Sequence, residues 1–386
     1  MGERYDYIVV GAGAAGLSLA YHLVQAGVEG RVLLLERAPK TKNDRTWCFW
    51  ETGTGSFEPL VFRRWEHLWF YGEGQALRLS IAPYAYKMIR SCDFYAHMER
   101  WISGQPQLTL RYGEVSRIGE DQQGPWVEQE GRVYWGRWVF SSLYQPPPPS
   151  PRYHHLLQHF KGWVVRTSGP VFDPQAAVLM DFRLPQRGPA CFGYVLPFDA
   201  QTALVEYTLF SPRLLPPEAY DQGLREYLED VLGVGRYEVL ESEFGVIPMT
   251  DAPFPRRPSP RVIRIGTAGG CTKASTGYTF QRIQAQTRRI AQALRETGRP
   301  ILPPGSSRHA LMDSVLLHLL ERGYAPGERV FSRLFRKNPP QRVLRFLDEA
   351  TGWLEDLQVM ASVDIPVFAR AVLGTLLRRW GVGAWR

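Results

Sequence analysis

The first forty residues contain apolar runs of two kinds. Residues 7–10 (YIVV) form a short β-branched run typical of a strand buried on both faces. Apolar side chains then recur at helical spacing over residues 17–24. A second apolar run covers residues 31–35. The pattern predicts a strand, a turn, a helix and a second, parallel strand, which together make one βαβ unit.

The pattern becomes more mixed after this unit. Aromatic and polar residues alternate in segments such as 68–71 and 108–112, which favours a mixed sheet, and residues 127–134 are typical of a hairpin. Residues 138–140 (WVF) are predicted to return as a strand to the first sheet. We therefore interpret residues 1–150 as the first part of the domain that contains the βαβ unit, with insertions.

Prolines mark the boundary to a second domain. Residues 146–149 are consecutive prolines, which form a stiff connector. Short strands recur in the region that follows, and one helix over residues 216–232 interrupts them. We therefore predict a mainly antiparallel substrate-binding domain for residues 151–258. Its predicted strands are residues 163–166, 178–182, 191–196, 202–208 and 243–247.

The chain is then predicted to return to the first domain. Residues 262–265 have the pattern of a buried strand, and a glycine-rich loop and a helix over residues 279–297 follow it. Residues 259–300 are therefore expected to form the second part of the first domain. Residues 301–386 are predicted to be a helical C-terminal region. The expected fold class is α/β.

Composition and charge limit the kinds of ligand and partner that we expect for this protein. The 386 residues carry a formal net charge of +8, but the arginines are scattered, which argues against a nucleic-acid partner. Aromatic residues make up 13% of the chain, enough to line a pocket for a large apolar ligand or to fill a core. The cysteines stand far apart without the spacing of metal ligands, so we expect reduced thiols and no metal site. These are Cys48, Cys92, Cys191 and Cys271.

The sequence shows neither a membrane-spanning run nor a targeting segment. No stretch of about eighteen or more apolar residues occurs. The N-terminus is polar and leads directly into a strand, without the apolar region of a signal peptide. We expect a protein that stays inside the cell.

A glycine-rich turn joins the first strand to the first helix. Gly11 permits a tight turn, Gly13 lets the backbone approach a pyrophosphate, and Gly16 lets the helix pack closely on the strand. The helix N-terminus offers free N–H groups to that phosphate. Glu36 ends the second strand, twenty residues after Gly16 (36 − 16), and is expected to accept hydrogen bonds from ribose hydroxyls. The unit predicts a dinucleotide site.

A second glycine-rich loop lies near the other end of the chain. Gly266, Ala268 and Gly269 follow a strand, and Thr276 and Gly277 precede a helix. A second phosphate-binding turn that closes on the first favours one extended dinucleotide, FAD rather than NAD. A packing loop rich in glycine is the alternative.

Two further segments carry candidate chemistry. In residues 44–50 (DRTWCFW), Arg45 is expected to meet a negative group while the aromatic residues face a flavin or an apolar substrate, and core packing is the alternative. Glu206 lies in an apolar strand, and period-two alternation places it on the face shared by Leu204 and Thr208. Burial there would raise its pKa and make it a general acid. A solvent-facing position on a half-buried strand is the alternative.

Several motifs together resemble those of the lycopene cyclase family, the flavoprotein type of bacteria and plants. The resemblance covers nearly the whole chain, and the motifs occur in the family's order. The matching segments are residues 44–50, residues 243–249 (EFGVIPM), residues 266–278 (GTAGGCTKASTGY) and residues 346–349 (FLDE).

The resemblance implies a fold and an activity. The fold would be a Rossmann-like FAD-binding domain of the p-hydroxybenzoate hydroxylase-like flavoprotein type, with an inserted antiparallel-sheet substrate domain and a helical C-terminal region. The activity would be that of a lycopene β-cyclase, an isomerase (intramolecular lyase) of carotenoid biosynthesis that converts the linear ψ-ends of lycopene to β-rings. FAD would be bound, and NADPH or NADH would reduce it without net oxidation or reduction of the substrate.

The resemblance also assigns the acid. The family's essential acidic residue, in its L-x-E-[ED]-T segment, falls on Glu206, but Tyr207 follows where an acid is usual, so a division of labour between two carboxylates is not carried over. In the implied mechanism, neutral Glu206 protonates the terminal double bond of lycopene. The neighbouring alkene attacks the tertiary cation, and a ring proton is lost. Anionic reduced flavin would stabilise the cation in a dry pocket.

A membrane-dissolved substrate such as lycopene implies contact with a lipid surface. Residues 364–386 mix apolar side chains with Arg370, Arg378, Arg379 and Arg386, a basic amphipathic pattern. Docking of this segment onto the protein's own body is the alternative. We expect a cytoplasmic protein that is peripherally associated with the inner face of the cell membrane.

Two other functions stay open on the sequence. A FAD-dependent monooxygenase or prenyl reductase acting on a polyprenoid would have the same architecture, but hydroxylases of that type resemble one another in an Asp-Gly segment and a late Gly-Asp pair. This sequence contains no Asp-Gly and carries Thr267 after Gly266, which favours the cyclase. A non-catalytic carotenoid-binding flavoprotein is the second alternative, left open by Tyr207.

Overall fold

The structure is a computed structural model that describes residues 3–188 and 190–380. Its strands are β1 (Glu3–Val10), β2 (Val32–Glu36), β3 (Thr46–Thr52), β4 (Arg63–Trp65), β5 (His67–Gly72), β6 (Gln75–Ser80), β7 (Tyr84–Arg90), β8 (Leu108–Tyr112), β9 (Val115–Asp121), β10 (Gly124–Gln129), β11 (Arg132–Ser141), β12 (His155–Thr167), β13 (Ala176–Asp181), β14 (Ala190–Pro197), β15 (Thr202–Ser211), β16 (Tyr237–Thr250) and β17 (Val262–Arg264). Its helices are α1 (Ala14–Gln25), α2 (Ser91–Ser103), α3 (Pro217–Glu226, continued by a π-helical turn Tyr227–Val231), α4 (Phe280–Thr297), α5 (Ser307–Arg322), α6 (Gly327–Lys337), α7 (Pro340–Leu347), α8 (Trp353–Ser362) and α9 (Ile365–Arg379).

The first sheet contains the predicted βαβ unit. Its strand order is β8-β2-β1-β11-β10-β9, and β17 pairs with β11 beside this path. β1 is parallel to both β2 and β11, and β17 is parallel to β11. Helix α1 packs on this sheet and against α4. The predictions that residues 138–140 and 262–265 return to the first sheet are therefore confirmed, since both segments supply strands to it.

The second sheet is larger than the predicted substrate domain. Its strand order is β16-β12-β15-β14-β13-β5-β6, so it takes two strands from the part of the chain that we had placed in the first domain. β5 is parallel to β13, with Leu68 beside Ala177 and Phe70 beside Met180. Leu68 and Phe70 are fully buried in the core that this pairing creates. The boundary near residue 150 is thus wrong for β5 and β6, because a long-range strand pairing determines where they lie.

A third, three-stranded sheet connects the two cores. β3, which carries most of the 44–50 segment, pairs with β7, and β4 pairs with the other edge of β7. Side chains alternate along β3, so its two faces reach different cores. Phe49 packs with Phe280 in the first domain, whereas Trp50 lies in the core of the second sheet. This strand therefore positions residues at the boundary between the two domains.

The C-terminal region is helical as predicted, from α5 to α9. Helix α6 packs on the second sheet through β5 and β14, and α7 and α8 pack against α6. Helix α9 packs along α5. His154 on the second-sheet side and His318 on α5 are joined by a 3.0 Å hydrogen bond between ring nitrogens, and His154 also hydrogen-bonds to Asp251. These contacts hold the helical region on the second sheet as a cap.

Among the described helices, none is by itself both long and apolar enough to cross a membrane. Helices α8 and α9 together pass the same length and hydropathy test, but they meet at a bend of 113°.

Candidate active site

A cavity of about 510 Å³ lies where the first domain, the second sheet and the cap meet. Its volume is in the range typical of small-molecule and cofactor sites. The β1–α1 turn, β3 and the late loop supply one part of the wall, which includes Gly13, Ala14, Arg45, Ser142, Thr276 and Gly277. The second sheet and α6 supply an apolar part, which includes Leu179, Met180, Phe192, Phe210, Phe331 and Phe335.

The three glycines of the β1–α1 turn have different environments. Gly11 has a φ of +92°, and a Cβ there would overlap the hydroxyl of Ser142. A Cβ on Gly16 would overlap the carbonyl oxygen of Gly11 and lie 3.1 Å from Val9 Cγ1. Gly13, the N-cap of α1, would meet nothing within 4 Å and borders the cavity. Gly11 and Gly16 therefore make the turn possible, and Gly13 leaves an open backbone surface at a helix N-terminus.

Glu36 lies beside this turn at the end of β2. Its carboxylate accepts a hydrogen bond from the backbone N–H of Ala12 at 2.7 Å. Lys40 Nζ lies 3.9 Å from the same carboxylate. Glu36, Ala12 and Lys40 also border a small separate cleft with Tyr95 and Tyr112. The predicted ribose-binding carboxylate is thus adjacent to the glycine turn.

Some residues of the late loop face the cavity and others pack in the interior, so both roles that the sequence left open occur in this loop. Thr276 and Gly277 border the cavity. Gly266, Ala268 and Gly269 are buried and do not border it, and a Cβ on Gly266 would lie 2.6 Å from Ala15 Cβ. Gly266 therefore packs on α1, whereas Thr267 and the second half of the loop face the cavity.

The 44–50 segment likewise combines both of its predicted roles. Thr46, Trp47, Cys48 and Trp50 border the cavity, whereas Phe49 is buried in the core. Arg45 also borders the cavity, and its guanidinium donates a 2.6 Å hydrogen bond to the carbonyl oxygen of Asp44. A positive charge is therefore available at the cavity wall.

Glu206 borders the apolar part of the cavity, and its side of the strand is not solvent-facing. The residue is only 7% exposed, on the face shared with Leu204 and Thr208 as predicted. The alternative of a half-buried, solvent-facing position is wrong. Burial, together with the charge of Glu243 and a hydrogen bond to it, raises the pKa of Glu206 well above its usual value. The surroundings of Glu206 therefore favour its neutral, protonated form.

Sequence reasoning gave Glu243 no role, yet it borders the same cavity. The strand register aligns Glu243 on β16, Gly162 on β12, Glu206 on β15 and Tyr194 on β14 in one row across the sheet. Thr46 donates a 2.8 Å hydrogen bond to Glu243. Burial raises the pKa of Glu243, while hydrogen bonds from Thr46 and Glu206 and the charge of Arg45 oppose that rise.

A cluster of tyrosine hydroxyls adjoins this row and was also missed. The hydroxyl of Tyr86 lies 2.7 Å from that of Tyr194 and 3.0 Å from that of Tyr278. All three rings border the cavity, and burial raises the pKa of each hydroxyl. These tyrosines therefore stay neutral and place oriented dipoles beside Glu206. The alternation of Phe192 and Tyr194 in β14 is the sequence signal that could have indicated one of them.

Tyr207 points to the other face of the second sheet. It packs against Gly223 of α3, where an added Cβ would lie 2.6 Å from its ring, and it does not border the cavity. The position where the family usually carries a second acid is therefore separated from Glu206 by the sheet.

The site as a whole combines a neutral carboxylic acid with an apolar wall and an anion-binding backbone surface. Such an acid can protonate a weakly basic group, because the low-dielectric surroundings favour its neutral form until a proton acceptor is held against it. The apolar wall suits a hydrocarbon acceptor, and the helix N-terminus suits a phosphate-containing cofactor.

Solved structures of low sequence identity share the fold of this chain. A flavoprotein/dehydrogenase from Cytophaga hutchinsonii has a TM-score of 0.63 at 11% identity, covering 96% of this chain and 99% of that one. A geranylgeranyl bacteriochlorophyll reductase-like protein from Thermoplasma acidophilum has a TM-score of 0.60 at 13% identity, covering 99% and 98%. An HpxO variant from Klebsiella pneumoniae, solved in complex with FAD, has a TM-score of 0.59 at 14% identity, covering 96% and 94%. The predicted fold, that of the FAD-dependent flavoproteins, is confirmed.

Within that class, the chain belongs to the lycopene cyclase family. The family model described as Lycopene cyclase protein matches residues 6–375. Lycopene beta-cyclase from Pantoea ananas is 25% identical over 374 residues, which cover 92% of this chain and 90% of the relative. Chloroplastic neoxanthin synthase from Solanum tuberosum is 25% identical over 356 residues, which cover 84% of this chain but only 66% of the plant protein's length. The resemblance seen in the sequence is confirmed.

Proposed function

We propose that this protein is a lycopene β-cyclase, which converts the linear ψ-ends of lycopene to β-ionone rings and thereby forms γ-carotene and β-carotene. The observation that carries this proposal is the burial of the Glu206 carboxyl group in the cavity wall, where burial and the neighbouring Glu243 raise its pKa. Family membership and the similarity to a bacterial lycopene beta-cyclase support it. The reaction is an isomerisation, since the atoms of substrate and product are the same.

The chemistry requires one proton to enter and one to leave. Glu206 transfers its carboxyl proton to the terminal double bond of a ψ-end, and a tertiary cation forms on the neighbouring carbon. The next alkene attacks that carbon and closes the ring, and loss of a ring proton leaves the β-ring. The neutral tyrosine hydroxyls of Tyr86, Tyr194 and Tyr278 present oriented dipoles to this region. The apolar wall excludes water that would otherwise capture the cation.

The cofactor in this proposal is FAD, and the cavity has features that fit it. Gly13 offers backbone at an uncapped helix N-terminus, and its missing Cβ leaves open space. Glu36 would accept hydrogen bonds from the ribose hydroxyls of FAD. Arg45, Thr276 and Gly277 would line the part of the cavity that the rest of the cofactor occupies. When bound and reduced by NADPH or NADH, FAD would supply a negative charge that favours a nearby cation without net electron transfer to the substrate.

Expression in lycopene-accumulating cells tests the proposed reaction. We expect chromatography of the pigments to show γ-carotene and β-carotene in place of lycopene. In purified form, the enzyme should form product without stoichiometric consumption of oxygen or of NADPH. Oxygenated or reduced products, or nicotinamide consumption in step with turnover, would instead identify a monooxygenase or a prenyl reductase. Unchanged lycopene that copurifies with the protein would identify a carotenoid-binding flavoprotein.

We also propose that the cap attaches the protein to the inner face of the cell membrane. Large apolar side chains are exposed on α8, including Trp353 at 70% and Leu354 at 77% exposure. Helix α8 packs behind α6, whose side chains form part of the apolar cavity wall. The formal net charge of +8 is suited to an anionic lipid surface. A substrate that dissolves in lipid would thus have a short path from the bilayer to the cavity.

This surface differs from the one that the sequence favoured. Arg378 hydrogen-bonds to Glu321 and to backbone carbonyls, and Arg379 hydrogen-bonds to Ser314. Arg370 lies over the ring of Tyr324 at 4.3 Å. These arginines of α9 therefore contact the protein itself, and Arg386 lies outside the described residues. The exposed apolar side chains of α8, together with Ile365 and Leu373 of α9, are therefore better candidates for lipid contact than these arginines.

The double substitution Trp353→Ser with Leu354→Ser tests the membrane proposal. Because both side chains are largely exposed, we expect the melting temperature to change little, whereas affinity for phosphatidylglycerol-containing vesicles should fall at least about tenfold. Sedimentation with vesicles measures this change. Leu214→Ser, which removes an exposed leucine elsewhere, is the matched control. Equal sedimentation of the double variant and the wild type would refute the assignment of this surface.

A further inference from the structure

Gly162 occupies the centre of the row that contains the two glutamates. It pairs with Glu206 on one side and with Glu243 on the other. Because neighbouring strands are about 4.8 Å apart, residues two strands apart are separated by about 9.5 Å at Cα. Two glutamate side chains on the same face can bridge that distance only if nothing stands between them.

The missing side chain of Gly162 provides this space. A Cβ at that position would lie 3.0 Å from Cγ of Glu206, 3.0 Å from Cδ1 of Leu204 and 3.2 Å from Cγ of Glu243. The two glutamate side chains therefore approach each other over the glycine, beside Leu204, and each influences the pKa of the other. Gly162 does not have a left-handed φ, so backbone conformation does not require a glycine there. The space over the residue is what the arrangement uses.

The surroundings of the two carboxyl groups differ. Glu243 accepts a hydrogen bond from Thr46 and lies near the charge of Arg45, both of which favour a carboxylate. Glu206 lies deeper and has no cationic neighbour among the groups that influence it. These surroundings favour the proton on Glu206 and the negative charge on Glu243. The titratable or charged groups that face the pair are Cys48, Tyr194 and Tyr278 near Glu206, and Arg45, Cys48 and Glu241 near Glu243.

We propose that Glu243, which lies against Glu206 over Gly162, is the positioning residue that keeps the proton on Glu206 and orients the Glu206 carboxyl group towards the cavity. This inference rests on the proposed cyclase function only for its catalytic consequence. It also accounts for Tyr207: the second carboxyl group of this site comes from a neighbouring strand, since the next residue along β15 faces away.

Over one turnover the two glutamates release one proton and take up one proton. When the O–H bond of Glu206 breaks, the proton forms the new C–H bond of the substrate, and the pair is left with two negative charges beside a cation. These charges attract the cation through a low-dielectric space. The proton lost from the ring restores the singly protonated pair, so no other reactant is consumed.

Infrared titration of the substrate-free protein tests the proposal directly. We expect the wild type to show the C=O band of a protonated carboxyl group at neutral pH, and Glu206→Gln to lose it. In Glu243→Gln the same band should disappear at a pH lower by about one unit or more, because the neighbouring charge is gone and the amide can donate to ionised Glu206. Glu238→Gln, an exposed glutamate on the same strand, should titrate like the wild type.

The pH profile of turnover gives the second readout. In Glu243→Gln the loss of rate on the alkaline side should move to lower pH by the same amount, which lowers the rate on the alkaline limb of the profile about tenfold or more. A merely structural role for Glu243 would lower the rate without moving the profile. A carboxyl band and a pH profile identical to those of the wild type would overturn the proposal. The infrared band needs no substrate, so it remains decisive even if the protein fails to cyclise lycopene.

Gly162→Ala provides an independent variant. The added methyl group should push the two carboxyl groups apart and shift the carboxyl band, while flavin content stays as in the wild type. Gly169→Ala, at a position where a Cβ meets nothing within 4 Å, is the matched control and should leave the band unchanged. An unshifted band in folded Gly162→Ala would contradict the role of the glycine, and Glu243→Gln decides the proposal if the alanine variant does not fold.

Discussion

Replacing Glu206 with Gln is expected to slow cyclisation by about 10²–10⁴-fold, the usual contribution of a general acid. The amide has nearly the same shape as the protonated carboxyl group but cannot release a proton to an alkene. Since Glu206 is protonated and buried, Gln should fit with little change in packing. The loss should therefore appear in kcat, with a much smaller change in KM, when product is measured chromatographically with saturating reduced flavin.

The pH dependence provides a check on the cause of this loss. The pKa of Glu206 is raised in the folded protein, so the wild-type rate should fall as pH rises through that pKa, and the residual rate of Glu206→Gln should lack this decline. Because this pKa is higher in the folded than in the unfolded protein, the Glu206 carboxyl group ionises at lower pH in the unfolded protein. The wild type therefore loses stability as pH rises from the unfolded pKa towards the folded one. Glu206→Gln should therefore melt at the same or a higher temperature at neutral pH. A variant that cyclises lycopene at the wild-type rate would exclude Glu206 as the acid.

Substitutions at two glycines of the β1–α1 turn are expected to have large effects of different kinds, one on stability and the other on FAD affinity. Gly16→Ala should lower the free energy of unfolding by about 3 kcal/mol or more, because its Cβ would overlap the backbone of Gly11 and neither strand nor helix can move aside easily. Gly13→Ala should leave stability nearly unchanged, since its Cβ would meet no protein atom within 4 Å. It should instead reduce FAD affinity at least about tenfold, because the methyl group occupies the space a pyrophosphate would need.

Denaturant unfolding and the flavin absorbance of the purified variants measure these two effects separately. Gly305→Ala serves as a control, since its Cβ would also meet nothing within 4 Å and the residue does not border the cavity. It should match the wild type in both measurements. Wild-type flavin content in Gly13→Ala would contradict the proposed cofactor site, and wild-type stability in Gly16→Ala would contradict the close packing of strand and helix.

The fold alone does not select the reaction. Structures with the same fold include a geranylgeranyl bacteriochlorophyll reductase-like protein and a halogenase in complex with FAD, at identities of 12–13%. A shared scaffold of this kind carries different chemistries, which depend on the side chains of the site. In the proposed site of this chain, the carboxyl groups of Glu206 and Glu243 and the three tyrosine hydroxyls line the same cavity.

Much of the first domain could be predicted from the sequence because its signals are local. The βαβ unit follows from the periodicity of residues 7–35 and from glycines whose spacing suits a turn before a helix. Alternation in β15 also predicted which face of the strand carries Glu206. The family motifs extended this prediction along the chain, since each is a short run of neighbouring residues. What the sequence by itself determined was therefore the type of the elements with strong local periodicity and, for β15, the face on which Glu206 lies.

Only the tertiary structure decided which residues meet across that face. Glu206 could have faced solvent until the cap and the second sheet enclosed it, and Glu243 became its partner through a register between strands that are more than thirty residues apart (243 − 206 = 37). Pairing of β5 with β13 moved two strands into the second sheet, and docking of α9 on α5 brought its arginines against the protein while α8 kept an exposed apolar surface. These contacts depend on strand register and helix packing, which residues far apart in the sequence determine together. No short segment of the sequence therefore predicts them.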